Sequence, residues 1–236
     1  APGDTQAKEI LHLITCLART INHDPALQNR LSIVFIENYN VTRAEIIIPA
    51  ADLSEQISIA GWEASGTGNM KLAINGALTI GTEDGANIEM HDSIGAEWWP
   101  FSFGATAEEN KKPYKSWDLY IQNLKIQKAV DALRQDVFTE TAEERKTLEE
   151  IYQSLVETDT YRVLQDLPSY YETQKKVEAL FLTPNKWAET AIHNIAGMGP
   201  FSADVSIQNY AQKIWDIAPC PTDPSILAKV REEYLE

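Results

Sequence analysis

A glycine-rich stretch at residues 61–71 constrains this chain more than any other feature of its sequence. Three glycines and two hydroxyl residues precede an apolar run that begins at Leu72. Glycine adopts backbone conformations that a Cβ forbids. Asn69 is of the type that caps helices, so the pattern predicts a helix over 70–75 that stops at Gly76. Because the first amides of a helix lack intrahelical acceptors and carry the positive end of its dipole, this turn suits an anion.

Lys71 lies in the predicted first turn of that helix, where an exposed cation opposes the helix dipole by roughly 0.3–1 kcal/mol. A bound anion, or a covalent bond to the amine, would offset this cost. The nucleotide P-loop is excluded because Thr67 follows Gly66 where that motif needs lysine. The dinucleotide pattern G-x-G-x-x-G is excluded because Lys71 stands where its third glycine belongs. A simple turn without a ligand remains the alternative.

The same stretch has a close counterpart in a known family. Residues 63–71 (EASGTGNMK), continued by LAINGALTIGT, resemble the cofactor-attachment segment of the α-glucan phosphorylases, which comprise the glycogen, starch and maltodextrin phosphorylases. The similarity continues through residues 84–90 and extends backwards through residues 48–58. In that family the lysine that matches Lys71 holds pyridoxal phosphate as a Schiff base, which agrees with a lysine beside an anion site.

The resemblance assigns roles to individual residues. The residues that would bind the cofactor are Lys71, Thr67, Gly68 and Tyr39. Those that would bind the reacting sugar are Glu63, Ser65 and Gly66. The two that would be catalytic are Lys71 and Glu63. Thr67 and Gly68 would hold the cofactor phosphate, and Tyr39 would contact the cofactor ring. As a lone tyrosine after a predicted strand, Tyr39 is equally consistent with a capping or core role. Asn40 and Val205 depart from the family pattern, which commonly has basic residues at both positions.

The resemblance also implies a reaction. The whole enzyme would transfer a terminal α-1,4-linked glucose from a glucan to inorganic phosphate and give glucose 1-phosphate, with the cofactor phosphate as a general acid–base group. Family members are several times longer, with a two-domain glycosyltransferase-B-type architecture. This chain resembles their C-terminal part, and residues 1–3 resemble a loop inside the second domain. We therefore expect part of such an enzyme, inactive alone.

The remaining implications concern the whole protein. The basic residues that bind substrate phosphate, and the glucan site, would lie upstream of Ala1, and the full-length protein would be an allosteric, cytoplasmic homodimer. The alternative from the residues alone is a non-catalytic phosphate-binding α/β module, or a remnant that kept the turn for stability.

Composition agrees with a globular protein and narrows its partners. The formal net charge of −15 disfavours nucleic acid and anionic membranes through repulsion. The sequence has no apolar run near the length of about eighteen residues that a membrane helix needs. Cys16 and Cys220 are far apart and belong to no ligand pattern, so we expect reduced thiols and no metal site.

Hydrophobic periodicity predicts the fold class. Strands are expected at residues 31–36, within 50–60 and at 77–80, with an aromatic sheet edge at 98–103; helices are expected at residues 5–22, 41–48, 70–75 and 85–91. This alternation predicts an α/β fold with a parallel, Rossmann-like sheet flanked by helices. Further helices at residues 121–137, 143–156, 170–182, 186–196, 206–215 and 224–236 predict a helical C-terminal region, so we place two domains at residues 1–104 and 105–236.

Other residues with functional side chains receive structural interpretations. Asp52 and Glu55 are expected to be hydrogen-bond partners rather than catalytic acids. His12 is expected at the surface or at its boundary. Trp98 and Trp99 are consistent with a sugar platform, but core packing is the preferred interpretation.

Overall fold

A computed structural model describes residues 3–28, 30–219 and 223–234. The described residues form two compact units, of which one ends at Gly197 and the other begins at Met198. The domain division at residue 104 stays a prediction. Part of the predicted loop at residues 1–3, the thiol of Cys220 and the end of the last predicted helix lie outside the described residues.

The first unit holds nine of the α-helices that the structure describes. They are α1 (Thr5–His23), α2 (Val41–Ile47), α3 (Gly68–Ile74), α4 (Ala86–Ile94), α5 (Ser116–Gln122), α6 (Leu124–Asp131), α7 (Ala142–Gln153), α8 (Val163–Phe181) and α9 (Pro184–Gly197). Short 3₁₀ turns follow α2 and α6, and a π-helical turn extends α7 over Ser154–Thr158. None of the described helices is both long enough and apolar enough to span a bilayer.

Three parallel strands form the sheet, in the order β1 (Leu53–Gln56), β2 (Leu78–Thr82) and β3 (Ser102–Phe103). Leu53 pairs with Leu78, and Thr82 pairs with Phe103. Helix α3 connects β1 to β2, and α4 connects β2 to β3, which gives two consecutive βαβ units. The α/β fold with a parallel sheet flanked by helices is therefore confirmed.

The core of the first unit lies between this sheet and the helices α8 and α9. Every residue of the central strand β2 is buried, as expected for a strand covered on both faces. The side chains of Leu78, Ile80, Phe101 and Phe103 pack against Val177 and Trp187. Trp99 is buried and its indole N–H donates to the Ser102 hydroxyl at 3.1 Å, so its predicted packing role is confirmed.

Trp98 also serves packing rather than a sugar platform. Its ring stacks on that of His193 at 3.8 Å between centroids, and the Lys186 ammonium lies 4.5 Å from its centroid. Glu55 is a hydrogen-bond partner as predicted, because its Oε1 accepts from the Tyr170 hydroxyl and from the Gln174 amide, each at 2.8 Å.

A second cluster of buried side chains joins the helices α5 to α8. It consists of Tyr120, Ile126, Val130, Tyr152, Val156 and Leu164. The single helix predicted over 121–137 is wrong, because Asn123 separates α5 from α6. Its backbone is extended, and its side-chain oxygen accepts from the amides of Lys125 and Ile126 at the start of α6. An asparagine cap therefore interrupts the apolar periodicity.

Helix α8 begins seven residues earlier than its predicted start at residue 170. The buried Asp159 carboxylate accepts from the amides of Val163 and Leu164, each at 2.8 Å, and so satisfies the first donors of the helix. The Tyr114 hydroxyl donates to the same carboxylate at 2.6 Å. This capping uses a side chain from the preceding turn.

The predicted strand at residues 31–36 is wrong. The segment has no regular secondary structure, and it exposes 71 % of Val34 and 51 % of Phe35. Its backbone is bonded to a side chain instead of a neighbouring strand: the Asn22 amide group accepts from the Ile33 N–H at 2.9 Å and donates to the Ile33 carbonyl at 2.8 Å. An apolar run is a strand only where a neighbour supplies hydrogen bonds.

The second unit, described by itself, is helical. It contains α10 (Ala203–Tyr210), a π-helical turn at Ala211–Trp215 and α11 (Pro224–Tyr234). The Ser202 hydroxyl caps α10 by accepting from the Val205 amide at 3.2 Å. The rings of Tyr210 and Trp215 stack at 5.6 Å between centroids. Both predicted helices of this region are therefore present as far as the described residues extend.

Helix α1 packs against α7 through an ion pair. At the start of α1, the Asp4 carboxylate accepts from the Ala7 amide at 2.9 Å and caps the helix. The Arg19 guanidinium donates to both carboxylate oxygens of Glu144, at 2.7 and 3.0 Å, and Glu144 also accepts from the amides of Glu140 and Thr141. His12 and Cys16 lie near this carboxylate, within 4.8 Å between their ligand atoms. Arg19 and two amides already bind the Glu144 carboxylate. The packing of α1 against α7 is therefore sufficient to explain why His12 and Cys16 lie close to it.

We expect this ion pair to make the stability of the fold depend on pH in the acidic range. The Arg19 guanidinium, followed by the amide donors, lowers the pKa of Glu144 from 4.5 to about 2. Because the folded pKa is depressed, the contribution to stability is fully present above pH 4.5 and is lost as the pH falls towards 2. Thermal unfolding should show a higher midpoint for the wild type than for Glu144→Gln at pH 7, and the difference should shrink as the pH falls through 2.

Glu143→Gln is the matched control, because Glu143 is exposed in the same helical turn. Its difference from the wild type should be much smaller than that of Glu144→Gln, because it loses only an exposed interaction with the helix dipole. A constant gap between the wild type and Glu144→Gln from pH 7 to pH 2 would contradict the assigned linkage.

Candidate functional site

The glycine-rich segment lies at the carboxyl edge of the sheet. Residues 57–67 connect the end of β1 to α3, and Asp84 and Gly85 follow the end of β2. Open parallel sheets bind ligands at this edge, because the loops that leave neighbouring strands meet there. The fold therefore brings Glu63, Ser65 and the residues of the helix start to a position where ligand binding is expected.

Asp84 holds the backbone of the glycine-rich segment. Its Oδ2 accepts from the amides of Trp62 and Glu63, at 3.2 and 2.8 Å, and the carboxylate is largely buried. Sequence reasoning gave Asp84 no role. Its position immediately after a buried parallel strand was the available signal, because such residues face the ligand-binding edge.

A second connection joins the segment to the turn after β2. The Ala86 amide donates to the Ser65 carbonyl at 2.8 Å. Gly85 has φ +51°, and a Cβ there would lie 2.7 Å from the Ser65 carbonyl oxygen, which is closer than real Cβ contacts. Only glycine permits both this backbone conformation and this close approach. The two loops therefore pack backbone against backbone.

Glu63 projects into solvent from this anchored backbone. Its Oε2 accepts from the Ser58 hydroxyl at 3.2 Å, and the Ser58 carbonyl accepts from the Thr82 hydroxyl at 2.6 Å. Ser65 is also exposed, and its hydroxyl donates to the Gly66 carbonyl at 3.0 Å. The sugar-side residues that the sequence predicted thus lie together, with polar groups directed away from the core.

Asn69 does not cap α3, which corrects the sequence prediction. The helix begins at Gly68, and Thr67 occupies the capping position without a side-chain bond. The Asn69 side chain is buried, and its amide group donates to Asn87 Oδ1 at 3.0 Å, while the Asn87 amide group donates to the Thr82 carbonyl at 3.0 Å. This pair links α3 to α4 and β2. Gly76 ends the helix as predicted, with its N–H on the Ala73 carbonyl.

Lys71 is exposed and lies next to Thr67. Its Nζ is 3.5 Å from Thr67 Oγ1, and its backbone N–H donates to the Thr67 carbonyl at 3.2 Å. The expected repulsion from the helix dipole is not supported, because Lys71 is the fourth of seven residues, about midway between the helix ends. The amides of Gly68 and Asn69 precede the first intrahelical bond and remain suited to an anion.

Lys71 also borders an open cleft of about 390 Å³ between α3 and α2. The other lining residues are Val41, Ala44, Glu45, Ile48, Pro49 and Asn75. The Asn75 side chain donates to the Lys71 carbonyl at 2.8 Å and so holds the last turn of α3. An amine at the edge of a partly apolar cleft is placed to hold an aromatic group.

Tyr39 lies just before α2, and 61 % of it is exposed. Asn40 caps α2 through its side-chain oxygen, which accepts from the Arg43 amide at 3.2 Å. Among the described residues that line the Lys71 cleft, the nearest in sequence to Tyr39 is Val41. The structure thus brings together six of the seven predicted site residues in one loop and helix start, while Tyr39 lies on the segment that leads into the opposite wall of the cleft.

Comparisons with known proteins match most of this chain, including the residues of the candidate site. A family model described as carbohydrate phosphorylase matches residues 1–217. The chain is 43 % identical over 223 residues to the human muscle form of glycogen phosphorylase, and 46 % identical over 217 residues to the glycogen phosphorylase of Pasteurella multocida. It is 46 % identical over 222 residues to that of Chlamydia trachomatis.

These matches cover most of this chain but a small part of each relative. They span 93 %, 90 % and 92 % of the chain in the human, Pasteurella and Chlamydia comparisons, and 26 %, 26 % and 27 % of the relatives. The chain therefore spans about a quarter of the length of the curated relatives it matches.

Proposed function

Because this chain belongs to the carbohydrate phosphorylase family, we propose that it supplies the cofactor-binding part of a glucan phosphorylase. The complete enzyme transfers a terminal α-1,4-linked glucose from a glucan to inorganic phosphate and releases glucose 1-phosphate. The observation that carries this proposal is the exposed Lys71 amine, which borders a cleft and lies beside Thr67 at the start of α3. The proposal includes a cytoplasmic, homodimeric full-length protein, on the basis of the family alone.

The described residues fit pyridoxal phosphate, the cofactor that the family implies. The cofactor requires a primary amine, donors for a phosphate and room for a ring. Lys71 offers an exposed amine, the amides that begin α3 and the Thr67 hydroxyl offer donors, and the cleft of about 390 Å³ offers room. When bound, the cofactor supplies a phosphate with a second pKa of about 6, which suits general acid–base catalysis near neutral pH.

On the cofactor side, Lys71 holds the group covalently through Nζ. The Thr67 hydroxyl and the Gly68 amide then donate to the phosphate at the positive end of the α3 dipole. In the structure the Lys71 ammonium lies 3.5 Å from Thr67 Oγ1, which accepts from it. A hydroxyl that accepts a hydrogen bond keeps its own hydrogen, so Thr67 is able to donate to the phosphate while it accepts from the nitrogen of Lys71.

We assign Tyr39 to the cofactor ring. Its side chain is exposed, and it directly precedes α2, whose residues line the wall of the cleft that faces Lys71. An accessible aromatic ring at the end of this wall offers stacking area to a pyridine ring. The assignment rests on this placement together with the family.

On the sugar side, Glu63, Ser65 and Gly66 bind the hydroxyls of the reacting glucose. Glu63 is exposed and keeps one carboxylate oxygen, Oε1, available while Oε2 accepts from Ser58. Hydrogen bonds from sugar hydroxyls to a carboxylate contribute about 1.5–3 kcal/mol each. Because Asp84 holds the Glu63 amide, the carboxylate is oriented before the sugar arrives.

The test is a phosphorolysis assay on a full-length polypeptide that contains this chain. Maltodextrin and inorganic phosphate should give glucose 1-phosphate, the product should disappear when pyridoxal phosphate is removed, and it should return when the cofactor is restored. The 236-residue chain alone should give no product. Absence of product from the cofactor-loaded full-length polypeptide would favour a non-catalytic phosphate-binding module.

Two substitutions should separate the cofactor side of the loop from the sugar side. Thr67→Ala should weaken retention of pyridoxal phosphate, because it removes a donor at the start of α3. Glu63→Gln should retain the cofactor but lower turnover about tenfold or more, because a neutral amide loses one charge-assisted bond to the sugar. Cofactor content is measured by absorbance after dialysis, and turnover by release of glucose 1-phosphate.

Thr67→Ser is the control for the first variant, since it keeps the hydroxyl and should keep the cofactor. Equal loss of cofactor from Thr67→Ala and Glu63→Gln would show that the two residues do not have separate roles.

A further inference from the structure

A second cavity, of about 350 Å³, lies between the end of β1, the end of β3 and the start of α8. Seven of its nine lining residues are aliphatic or aromatic: Ile57, Ile59, Phe103, Tyr161, Val163, Leu167 and Tyr170. The two others are Ser58 and Asp166. None of these residues lines the Lys71 cleft. This volume lies within the range of about 300–1,000 Å³ that is typical of small-molecule sites.

Asp166 is the one ionisable carboxylate among the lining residues. Only 9 % of the residue is exposed, and its Oδ1 accepts from the Ala105 amide at 2.9 Å. Among the described residues, Oδ2 of Asp166 accepts no hydrogen bond, whereas Oδ1 is occupied by Ala105. Burial is the main cause that raises the pKa of Asp166; the Ala105 amide and the Arg162 charge act in the opposite direction but do not cancel it.

The nearest cation is directed elsewhere. The Arg162 guanidinium donates to Gln165 Oε1 and to the Lys112 carbonyl, each at 2.9 Å, and lies over the Tyr114 ring. It therefore does not form an ion pair with Asp166. An incoming ammonium group would supply a charged donor in direct contact with this carboxylate.

Two of the three other polar side chains that line the cavity, those of Tyr170 and Ser58, are already engaged in hydrogen bonds. The Tyr170 hydroxyl donates to Glu55 Oε1 and accepts from Gln174, and the Ser58 hydroxyl donates to Glu63 Oε2. The walls consequently offer aromatic and aliphatic area with a single free anionic acceptor. A sugar, which needs several hydrogen-bond partners, does not match these walls. An aromatic ring joined to an amine matches them.

We propose that this cavity is a ligand site for a small arylalkyl amine, whose ring packs between Phe103, Tyr161 and Tyr170 and whose ammonium group pairs with Asp166. The ring of Trp62, in edge contact with Tyr161 at 5.6 Å between centroids, extends the aromatic surface at one side. The formal net charge of −15 also favours cationic ligands over anionic ones. The site goes beyond the phosphorylase function and requires no part of it.

The first experiment compares two probes of the same shape on the wild-type 236-residue chain. 2-Phenylethylamine carries the ammonium group, and 2-phenylethanol replaces it with a neutral hydroxyl. Calorimetric titration should show at least tenfold tighter binding of the amine. With methyl-labelled protein, nuclear Overhauser effects should connect the aromatic protons of the amine to methyl groups of the lining residues Ile57, Ile59, Val163 and Leu167. Equal affinity for both probes, or contacts to other methyl groups, would overturn the proposal.

The second experiment removes the charge. Asp166→Asn retains an oxygen that accepts from Ala105, and it should abolish the preference for the amine. Asp118→Asn, a change of the same chemistry at an exposed position on α5, should leave that preference intact. A preference that persists in Asp166→Asn would refute the assigned ion pair. Because the probe comparison and the methyl contacts use wild-type protein, they decide the proposal even where Asp166→Asn is unstable.

Discussion

Replacing Lys71 with alanine should abolish covalent incorporation of pyridoxal phosphate and remove nearly all phosphorolysis in a full-length polypeptide that contains this chain. The substitution deletes the exposed amine beside Thr67 without opening a cavity, because the side chain lies at the surface of α3. Borohydride reduction followed by peptide mapping should place the pyridoxyl group of the wild type on Lys71. The variant should carry no label at any position.

Two controls sharpen this experiment. Lys71→Arg keeps a positive charge at the same position, but a guanidinium does not form the covalent attachment, so it should be as inactive as Lys71→Ala. Lys111→Ala removes an exposed lysine that pairs only with Glu108 within the described residues, and it should behave as the wild type. Label on a lysine other than Lys71 in the wild type would refute the assignment.

Gly85→Ala should strongly disrupt the sugar side of the site, although Gly85 is not itself one of the predicted site residues. The new Cβ would lie 2.7 Å from the Ser65 carbonyl oxygen and 3.1 Å from its carbon, and backbone atoms cannot move aside as a flexible side chain does. The residue would also be held at φ +51°, at an expected cost of about 1–3 kcal/mol. We expect a lower unfolding midpoint together with a large loss of turnover in the full-length enzyme.

Gly95→Ala separates the two effects. Gly95 also has a positive φ, of +89°, but nothing lies within 4 Å of a Cβ built there. This variant should lose stability through backbone strain while it keeps turnover at the wild-type level. If Gly85→Ala kept wild-type turnover, the contact between the two loops would have no part in the site.

Local sequence signals were sufficient to predict much of the fold. The apolar periodicity predicted α1, and the glycine that follows the predicted helix at residues 70–75 predicted the end of α3. The order of strands and helices between residues 50 and 103 predicted a parallel sheet. Each of these features depends on residues close together in the sequence, so a single chain without relatives contains the information.

The errors arose where a distant partner determines the local structure. Residues 31–36 have the composition of a buried strand, but the described sheet supplies no neighbour for them, and the Asn22 side chain satisfies their backbone instead. Asn69 has the residue type of a helix cap, but Asn87 binds its side chain in the interior. Periodicity and residue type describe what a segment favours alone, and long-range hydrogen bonds override that preference.

The candidate site also has features that the sequence predicted and features that depend on distant residues. The resemblance assigned roles to Lys71, Thr67 and Glu63 without any contact information, and the structure places these three residues in one loop and the helix that follows it. The anchoring by Asp84 and the close approach of Gly85 were not predicted, because they join residues about twenty positions apart in sequence. The Asp166 cavity was not predicted for the same reason, since its walls come from three separate regions of the chain.

The attachment of Asp84 to main-chain amides has a consequence for sequence variation in this loop. Asp84 accepts hydrogen bonds from the backbone N–H groups of Trp62 and Glu63, and these bonds do not involve their side chains. The Trp62 side chain is exposed, so many other residue types would fit on the same backbone without displacing Glu63. A mutant library at position 62 would therefore lose the edge contact between Trp62 and Tyr161, but it would keep the backbone that positions Glu63 and would place new side chains next to that carboxylate.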